Sequence, residues 1–197
     1  MGAVHSLAQH RATLAVEPSD AELIRAILER RDAHAKQAFY FRFAPMVTRM
    51  AHRLLGGHEV DDVVQDVFLA VFSKLGTLRD PAGAKGWIRS ITLNLVRRRI
   101  RRRSLRRRLG FRGDALDPER LVGLADNPEV TAELRELYRI LEEMPVDVRL
   151  AIVLRRVEGM TFPEIAAAMG KSLSTVKRRV AEGETQLTHA LESRGAQ

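Results

Sequence analysis

The chain has 197 residues, no cysteine and a formal net charge of +8 at pH 7. This length suits one or two domains, and the lack of cysteine excludes disulfides, cysteine-ligated zinc and a cysteine nucleophile. The start shows no basic-then-apolar signal pattern, and no apolar run approaches the roughly 18 residues of a membrane-spanning helix. We therefore expect a cytoplasmic protein with no stable membrane insertion.

The positive charge is concentrated in one segment. Residues 97–112 hold ten arginines and no acidic residue, so the rest of the chain carries a net charge of −2. A focused basic patch favours a polyanion as partner more strongly than a diffuse surplus does. Charge alone leaves both nucleic acid and an anionic membrane open.

The first two predicted helices lie between residues 19 and 55. Ser19 or Asp20 can cap a helix, and residues 1–18 are expected to form a flexible N-terminus. A second helix follows, in which Pro45 predicts a break or kink. The apolar stripes of the two helices consist of Leu23, Ile24, Ile27 and Leu28, and of Phe39, Phe43, Val47, Met50, Leu54 and Leu55.

A third helix is predicted from Asp61 to Leu75. Its apolar residues repeat at helical spacing, whereas four polar residues near its start lie off the apolar face. Such a polar ridge is usually only solvated, but it is also what a docking helix presents to a basic partner. The ridge consists of Asp61, Asp62, Gln65 and Asp66.

A fourth helix is predicted to begin near Trp87, after a loop over residues 76–86, and to run directly into the arginines. Arginines on every face are not expected to be buried, so they need solvent or an anionic surface. The guanidinium fork matches a pair of phosphate oxygens. We predict phosphate contacts for residues 97–103, whereas a solvated charge run also explains residues 106–112.

Two more helices are predicted after a linker. Asn127-Pro128-Glu129 is a strong helix start, and that helix stops near Pro145. Asp147 opens the next one, and Gly159 ends it. The predicted apolar residues are Leu134, Leu137, Tyr138 and Leu141 in the first of these helices, and Leu150, Ile152, Val153, Leu154 and Val157 in the second.

The last stretch has the pattern of a helix-turn-helix. Thr161 and Glu164 have the spacing of a capping box, Gly170 supplies a left-handed stop, and Ser174 is predicted to cap the following helix. That helix would bury two valines and expose basic residues near its start, as in DNA-reading helices. An ordinary helical hairpin with a solvated basic face is the alternative. The basic residues are Lys177, Arg178 and Arg179.

No strand alternation or βαβ rhythm occurs along the chain. The sequence therefore predicts an all-α fold of two small helical domains joined by a flexible linker, with the helix-turn-helix in the C-terminal domain. The predicted boundaries are 19–105 for the first domain, 106–126 for the linker and 127–192 for the second domain.

The order of these pieces resembles the extracytoplasmic-function sigma factors, the smallest members of the bacterial sigma-70 family. The resemblance covers roughly residues 20–190. It rests on the stretch from Asp61 to Phe68, on Gly86 to Asn94 followed by arginines, and on motifs between Leu141 and Lys177. A helix-turn-helix alone is common, whereas the three motifs in this order are specific.

The resemblance implies a sigma factor rather than an enzyme, with no cofactor and no metal. Its implied partners are promoter DNA, the clamp helices of the largest subunit of core RNA polymerase, the flap of the second-largest subunit, and an anti-sigma factor.

The resemblance also assigns residues to three surfaces. A pocket for a flipped base would lie in the loop of residues 78–85. The residues that would bind core polymerase are Asp61, Asp62, Gln65 and Asp66. Those implied for the −10 element are Asn94, Arg97, Arg98, Arg101 and Arg102, within an arginine row that runs to residue 103. Those implied for the −35 element are Ser174, Thr175, Lys177, Arg178 and Arg179.

The sequence departs from the family pattern after Val180. Glu182 and Glu184 stand where further basic residues are usual, and we expect their carboxylates to repel a phosphate backbone. Gly183 lies between them, and a glycine inside a helix weakens that helix by ~1 kcal/mol.

Two other classes of function compete. An enzyme is disfavoured because the histidines are scattered without metal-ligand spacing and no serine lies in a nucleophile elbow. An ordinary transcriptional regulator explains residues 127–190 equally well. It does not explain the polar ridge or a tryptophan-containing helix that runs into arginines.

Overall fold

The computed structural model describes residues 17–56, 59–109 and 128–195. In these ranges the secondary structure is helical, which confirms the all-α prediction. Most of the predicted linker and nearly all of the predicted flexible N-terminus lie outside the described residues. The helices are α1 (Asp20–Arg30), α2 (Ala33–Leu55), α3 (Val60–Lys74), α4 (Ala84–Arg108), α5 (Pro128–Glu143), α6 (Val146–Arg156), α7 (Phe162–Met169) and α8 (Leu173–Gly195).

Helices α1 to α4 form the N-terminal domain around a core to which α2 contributes most. The predicted apolar stripe of α2 is buried throughout. Of the break or kink predicted at Pro45, the break is wrong, because α2 continues through the proline, whereas the kink stays a prediction. Burial of Phe43 and Val47 on either side explains how packing outweighs the hydrogen bond lost at the proline. In the predicted apolar stripe of α1, Leu23, Ile24 and Ile27 are buried, whereas Leu28 is exposed.

Helix α4 joins the packed and the arginine-rich parts of the sequence without interruption. It begins at Ala84, three residues before the predicted start, after short 3₁₀ turns at Leu75–Thr77 and Pro81–Gly83. Val96 and Ile100 are buried among the arginines. The expectation of arginines on every face is therefore wrong, because an apolar edge fixes α4 to the domain.

Helices α5 to α8 form the C-terminal domain. Helix α6 supplies much of its core, although Val157 is exposed because α6 ends at Arg156 and the chain turns at Gly159, with φ +65°. The predicted capping box is confirmed: Glu164 Oε2 accepts from the Thr161 backbone N–H at 2.8 Å. Gly170 has φ +59°, as its role as a left-handed stop requires.

The start of α8 differs from the prediction by two residues. The helix begins at Leu173, and the Ser172 hydroxyl accepts from the Thr175 backbone N–H at 3.2 Å. Ser172 rather than Ser174 therefore caps the helix. Ser174 is left exposed on the first turn.

Gly183 lies where α8 crosses α6. A Cβ at this position would stand 3.1 Å from Ile152 Cβ and 3.2 Å from Val148 Cγ1. The missing side chain thus allows the two helices to approach closely. The helix propensity lost at Gly183 is offset by this packing.

The two domains also contact each other. Helix α4 packs against α6 and α7, and α2 reaches α6. Arg149 of α6 is buried and donates to the carbonyl oxygen of Leu54, at the end of α2. Arg53 Nη1 lies 2.6 Å from Glu158 Oε1.

We predict opposite effects for the same substitution at two helical glycines. Gly183→Ala should lower the free energy of unfolding by about 1 kcal/mol, because the new Cβ overpacks against branched side chains. Gly86→Ala should raise it by about 0.5–1 kcal/mol, because no atom lies within 4 Å of a Cβ there and alanine favours the helix. Urea denaturation of both variants measures the difference. A Gly183→Ala variant as stable as Gly86→Ala would show that the crossing tolerates a methyl group.

Candidate nucleic-acid and protein interfaces

The polar ridge of α3 borders an apolar groove. Asp61, Asp62 and Gln65 are exposed at the start of the helix. An open groove of about 390 Å³ runs beside them, and its lining includes Asp61, Gln65, Tyr40, Thr48, Val64, Phe68, Leu69 and Phe72. Carboxylates beside exposed apolar side chains suit a partner helix that carries both basic and apolar residues.

Asp66, the fourth predicted member of the ridge, has a different environment. Its Oδ2 lies 2.8 Å from Arg99 Nη2, and Glu59 Oε2 lies 3.0 Å from Arg99 Nη1. The hydrogen bond to Asp66 is the largest cause that raises the pKa of Arg99. Arg99 of α4 therefore binds both Asp66 of α3 and Glu59, the residue that precedes α3. No local pattern predicts this pairing, because Asp66 and Arg99 lie 33 residues apart in the sequence.

The predicted −10 residues divide between two sides of α4. Asn94, Arg98, Arg101 and Arg102 are exposed. Residues four, seven and eight positions after Asn94 fall on the same side of a helix as Asn94 itself. Arg97 is only 16% exposed, and its Nη2 lies 2.6 Å from Asp147 Oδ2 in the C-terminal domain. Arg97 therefore faces protein, whereas the other four face solvent.

The predicted pocket loop, residues 78–85, is shaped by a short turn. Asp80 Oδ1 accepts from the Ala82 backbone N–H at 3.0 Å and so caps the 3₁₀ turn before α4. Lys85 is exposed in the first turn of α4. The loop thus leads directly into the helix that carries Asn94.

The start of α8 presents the predicted −35 residues unevenly. Ser174, Lys177 and Arg178 are exposed, and Thr175 is half-buried. Arg179 is also half-buried, and its Nη1 lies 2.7 Å from Glu182 Oε2. Because Glu182 lies one turn further along α8, this contact directs the Arg179 side chain along the helix surface.

Residues of α6 and α7 contact the basic part of α8 and the acidic residues that follow it. The Lys177 ammonium and the Arg155 guanidinium lie 5.9 and 4.9 Å from the ring centroid of Phe162, the first residue of α7. At the other end of the basic stretch, Arg156 binds Glu184. Glu182 and Glu184 are therefore each paired with an arginine, which offsets the repulsion expected between their carboxylates and phosphate.

The capping box of α7 fixes the first helix of the helix-turn-helix. Hydrogen bonds from the Thr161 backbone and hydroxyl lower the pKa of Glu164. Its carboxylate is therefore charged at neutral pH and remains bound to the cap.

Within residues 17–56, 59–109 and 128–195, no group of three or more histidines and acidic residues could hold a metal ion. Within the same ranges, no helix combines the length and apolarity needed to cross a membrane.

Comparisons with known proteins match both halves of the chain. Residues 39–106 match the family described as Sigma-70 region 2, and residues 134–187 match Sigma-70, region 4. The chain is 32% identical over 181 residues to the ECF RNA polymerase sigma factor SigE of Mycolicibacterium smegmatis, covering 87% of this chain and 69% of that protein. It is 28% identical over 162 residues to the ECF RNA polymerase sigma-E factor of Escherichia coli strain K12, covering 78% and 84%.

Two solved structures share the fold. CnrH in complex with the cytosolic domain of CnrY has a TM-score of 0.60 at 24% identity, covering 88% of this chain and 95% of that chain. The sigma factor RpoE in complex with the anti-sigma factor NepR, from Bartonella quintana, has a TM-score of 0.60 at 21% identity, covering 79% and 96%.

We predict a measurable coupling between Asp66 and Arg99. A double-mutant cycle with Asp66→Ala and Arg99→Ala should give about 0.2–1 kcal/mol, the range of partly exposed ion pairs. Asp62→Ala, its control on the same helix, should change stability by less than about 0.5 kcal/mol because Asp62 is exposed. Additive effects of the two substitutions in urea denaturation would contradict the structural role of Asp66.

Proposed function

This chain belongs to the extracytoplasmic-function sigma factors, and we propose that it recruits core RNA polymerase to promoters through the surfaces described above. The N-terminal domain reads the −10 element and the C-terminal helix-turn-helix reads the −35 element. The observation that carries this proposal is the exposed row of Asn94, Arg98, Arg101 and Arg102 in a domain that also exposes an acidic ridge. A simple repressor needs only the helix-turn-helix.

We assign the domains as the sequence predicted, with one adjustment. Residues 19–105 form the domain for core polymerase and −10 DNA, and residues 127–192 form the −35 domain. Helix α4 extends to Arg108, so the linker proposed from residue 106 begins inside this helix.

Docking on core polymerase is assigned to Asp61, Asp62 and Gln65. Their carboxylates and amide meet basic groups on the clamp helices of the largest subunit, while the adjacent groove accepts apolar side chains. Rim charges of this kind steer association, and buried apolar anchors supply most of the affinity. Asp66 contributes indirectly, because its partner Arg99 holds α3 against α4. The flap of the second-largest subunit is assigned to the C-terminal domain.

Recognition of the −10 element is assigned to Asn94 with arginines on both sides of α4. An asparagine amide binds a base edge with a donor and an acceptor together. Arg98, Arg101 and Arg102 bind the phosphates of the separated strand, and Arg97 joins them once it leaves Asp147. Unstacking a base costs a few kcal/mol, which phosphate and stacking contacts recover.

Recognition of the −35 element is assigned to the start of α8. Lys177 and Arg178 reach base edges in the major groove, and Ser174 and Thr175 bind the backbone next to the helix N-terminus. Arg179 has a positioning role through Glu182.

An anti-sigma factor is the further partner we propose. One of the similar solved structures is a sigma factor bound to an anti-sigma factor. No reaction is assigned to this chain, because a sigma factor guides the chemistry of the polymerase.

Run-off transcription tests the function directly. Purified protein is mixed with core polymerase and a library of genomic DNA fragments, and the transcripts are sequenced. Promoter-specific starts that require the protein are expected. A failure to initiate at any site would refute the proposal, and a dimer that binds duplex DNA without polymerase would favour a regulator.

Loss of the ridge should weaken polymerase binding. Asp62→Ala combined with Gln65→Ala should lower the affinity for core polymerase about tenfold, or 1.4 kcal/mol, with no loss of fold. Glu29→Ala with Gln37→Ala is the matched control, because both residues are exposed elsewhere in the same domain. Gel filtration and fluorescence titration measure the effect. Equal affinities of the two double variants would remove the ridge from the interface.

Replacement of Asn94 should impair recognition of the −10 element and leave recognition of the −35 element unchanged. Asn94→Ala should reduce run-off transcription about tenfold or more, since a good bidentate base contact contributes roughly 1–3 kcal/mol. Binding to a −35 duplex, measured by anisotropy, should not change because Asn94 lies in the other domain. An undiminished transcript yield would exclude Asn94 from base reading.

A further inference from the structure

Two basic side chains of the C-terminal domain lie beside one aromatic ring. The Arg155 guanidinium carbon is 4.9 Å from the ring centroid of Phe162, and the Lys177 ammonium nitrogen is 5.9 Å from it. Arg155 lies at the end of α6, Phe162 is the first residue of α7, and Lys177 lies in the second turn of α8. A cation within about 6 Å of a ring centroid is attracted by the negative face of the ring. Three helices thus contribute to one group of side chains, the Phe162 cluster.

Hydrogen bonds fix the guanidinium and the backbone beside the ring. Arg155 Nη1 donates to the carbonyl oxygen of Met160 at 3.0 Å, across the turn between α6 and α7. The Thr161 hydroxyl accepts from the Glu164 backbone N–H at 3.4 Å and caps the helix that Phe162 begins. Phe162 is half-buried, so its ring is also held by packing. Side chains that are already oriented lose little conformational freedom when a ligand binds.

The charge of the Phe162 cluster is not compensated by carboxylates. Arg156 and Arg179, the basic residues near the cluster in α6 and α8, each bind a glutamate. In the described part of the chain, neither Arg155 nor Lys177 forms an ion pair. The carboxylate of Glu164 is engaged by the cap of α7. An aromatic ring orients a cation without neutralising it, so two positive charges remain available to an anion.

The Phe162 cluster lies at the junction of the two helices of the helix-turn-helix. In this motif the second helix enters the major groove, while the first helix crosses the DNA backbone. These helices are α8 and α7 here, and the cluster stands at the beginning of α7. A duplex read by α8 therefore brings one strand past Arg155, whose guanidinium fork matches a pair of phosphate oxygens.

We propose that Phe162 positions Arg155 and Lys177 against the −35 duplex, and that Arg155 is a further DNA contact, to a backbone phosphate. The ring restricts the directions of the Lys177 side chain, so less freedom is lost when its ammonium binds a base edge. The inference rests on the proposed function of α8. It adds a phosphate contact from α6 and a positioning residue from α7, neither of which belongs to the recognition helix.

A phosphate contact and a base contact have different signatures. Loss of a phosphate contact weakens binding to every sequence alike and lowers the slope of log affinity against log salt by about one. Loss of a base contact weakens binding to the preferred sequence most. Two fluorescein-labelled duplexes distinguish these cases. One carries a −35 element from the promoters that run-off transcription identifies, and the other has the same base pairs in shuffled order.

Replacement of Arg155 tests the phosphate contact. Arg155→Gln should bind both duplexes about three- to tenfold more weakly and lower the salt slope by about one. Arg135→Gln is the matched control, because it changes the net charge equally at an exposed position of α5. The control should lose less than about twofold, since a distant exposed charge is screened. Fluorescence anisotropy of the full chain over a range of salt concentrations measures both quantities.

Replacement of Phe162 tests the positioning role. Phe162→Leu should bind the −35 duplex about two- to fivefold more weakly, whereas Phe162→Trp should stay within about twofold of the unchanged chain because its ring attracts cations at least as strongly. The losses of Phe162→Leu and Lys177→Gln should combine to less than their sum, because the ring acts through Lys177. Arg178→Gln is the control partner. Its loss should add to that of Phe162→Leu, since the α8 cation beside the ring is Lys177.

Separate outcomes decide the inference and the proposed function. Equal losses for Arg155→Gln and Arg135→Gln, or an unchanged salt slope in Arg155→Gln, would overturn the phosphate contact. If Phe162 only packs, Phe162→Leu should lower the free energy of unfolding in urea and combine with Lys177→Gln and Arg178→Gln in the same way, which would overturn the positioning role. The shuffled duplex requires no promoter. It therefore tests Arg155 even where run-off transcription finds no start site, a result that would refute the proposed function alone.

Discussion

The structure depends on helix α4, which packs against the core along one edge and carries many arginines on its other sides. Like charges spaced three or four residues apart destabilise an isolated helix. Helix α4 persists through its arginines because Val96 and Ile100 anchor it in the N-terminal core. Carboxylates from three directions reduce the repulsion that remains: Glu59 and Asp66 beside Arg99, and Asp147 beside Arg97.

The arginines of α4 therefore fall into three groups that differ in what their side chains face. Arg99 is directed inward and joins α4 to α3, Arg97 and Arg103 are directed to the other domain, and Arg98 and Arg102 face solvent. Only the solvent-facing group is immediately available to a phosphate chain. Because the acids that stabilise α4 belong partly to the C-terminal domain, the stability of this helix and the exposure of its binding surface are linked.

Local signals in the sequence predicted the local structure well. The capping box at Thr161, the left-handed Gly170 and the helical spacing of apolar residues each act within a few positions, so one sequence is enough to find them. Local signals also misled once, because the cap of α8 is Ser172 and not Ser174, two residues along. Other misplaced features depend on tertiary packing. Pro45 stays inside α2 because of its buried neighbours, and the burial of Arg149 depends on a carbonyl 95 residues away. No spacing rule reports such contacts.

Because some arginines of α4 face protein and others face solvent, added salt should weaken their contacts to different extents. Screening weakens exposed charge contacts much more than partly buried ones, with a Debye length of about 8 Å at physiological ionic strength. The Arg97–Asp147 pair is shielded on both sides, whereas Arg98 and Arg102 are open to ions. Added salt should therefore release a nucleic-acid strand from α4 before it separates the domains. The contact of buried Arg149 with the carbonyl oxygen of Leu54 is screened least, so it holds the domains together when exposed charges are screened.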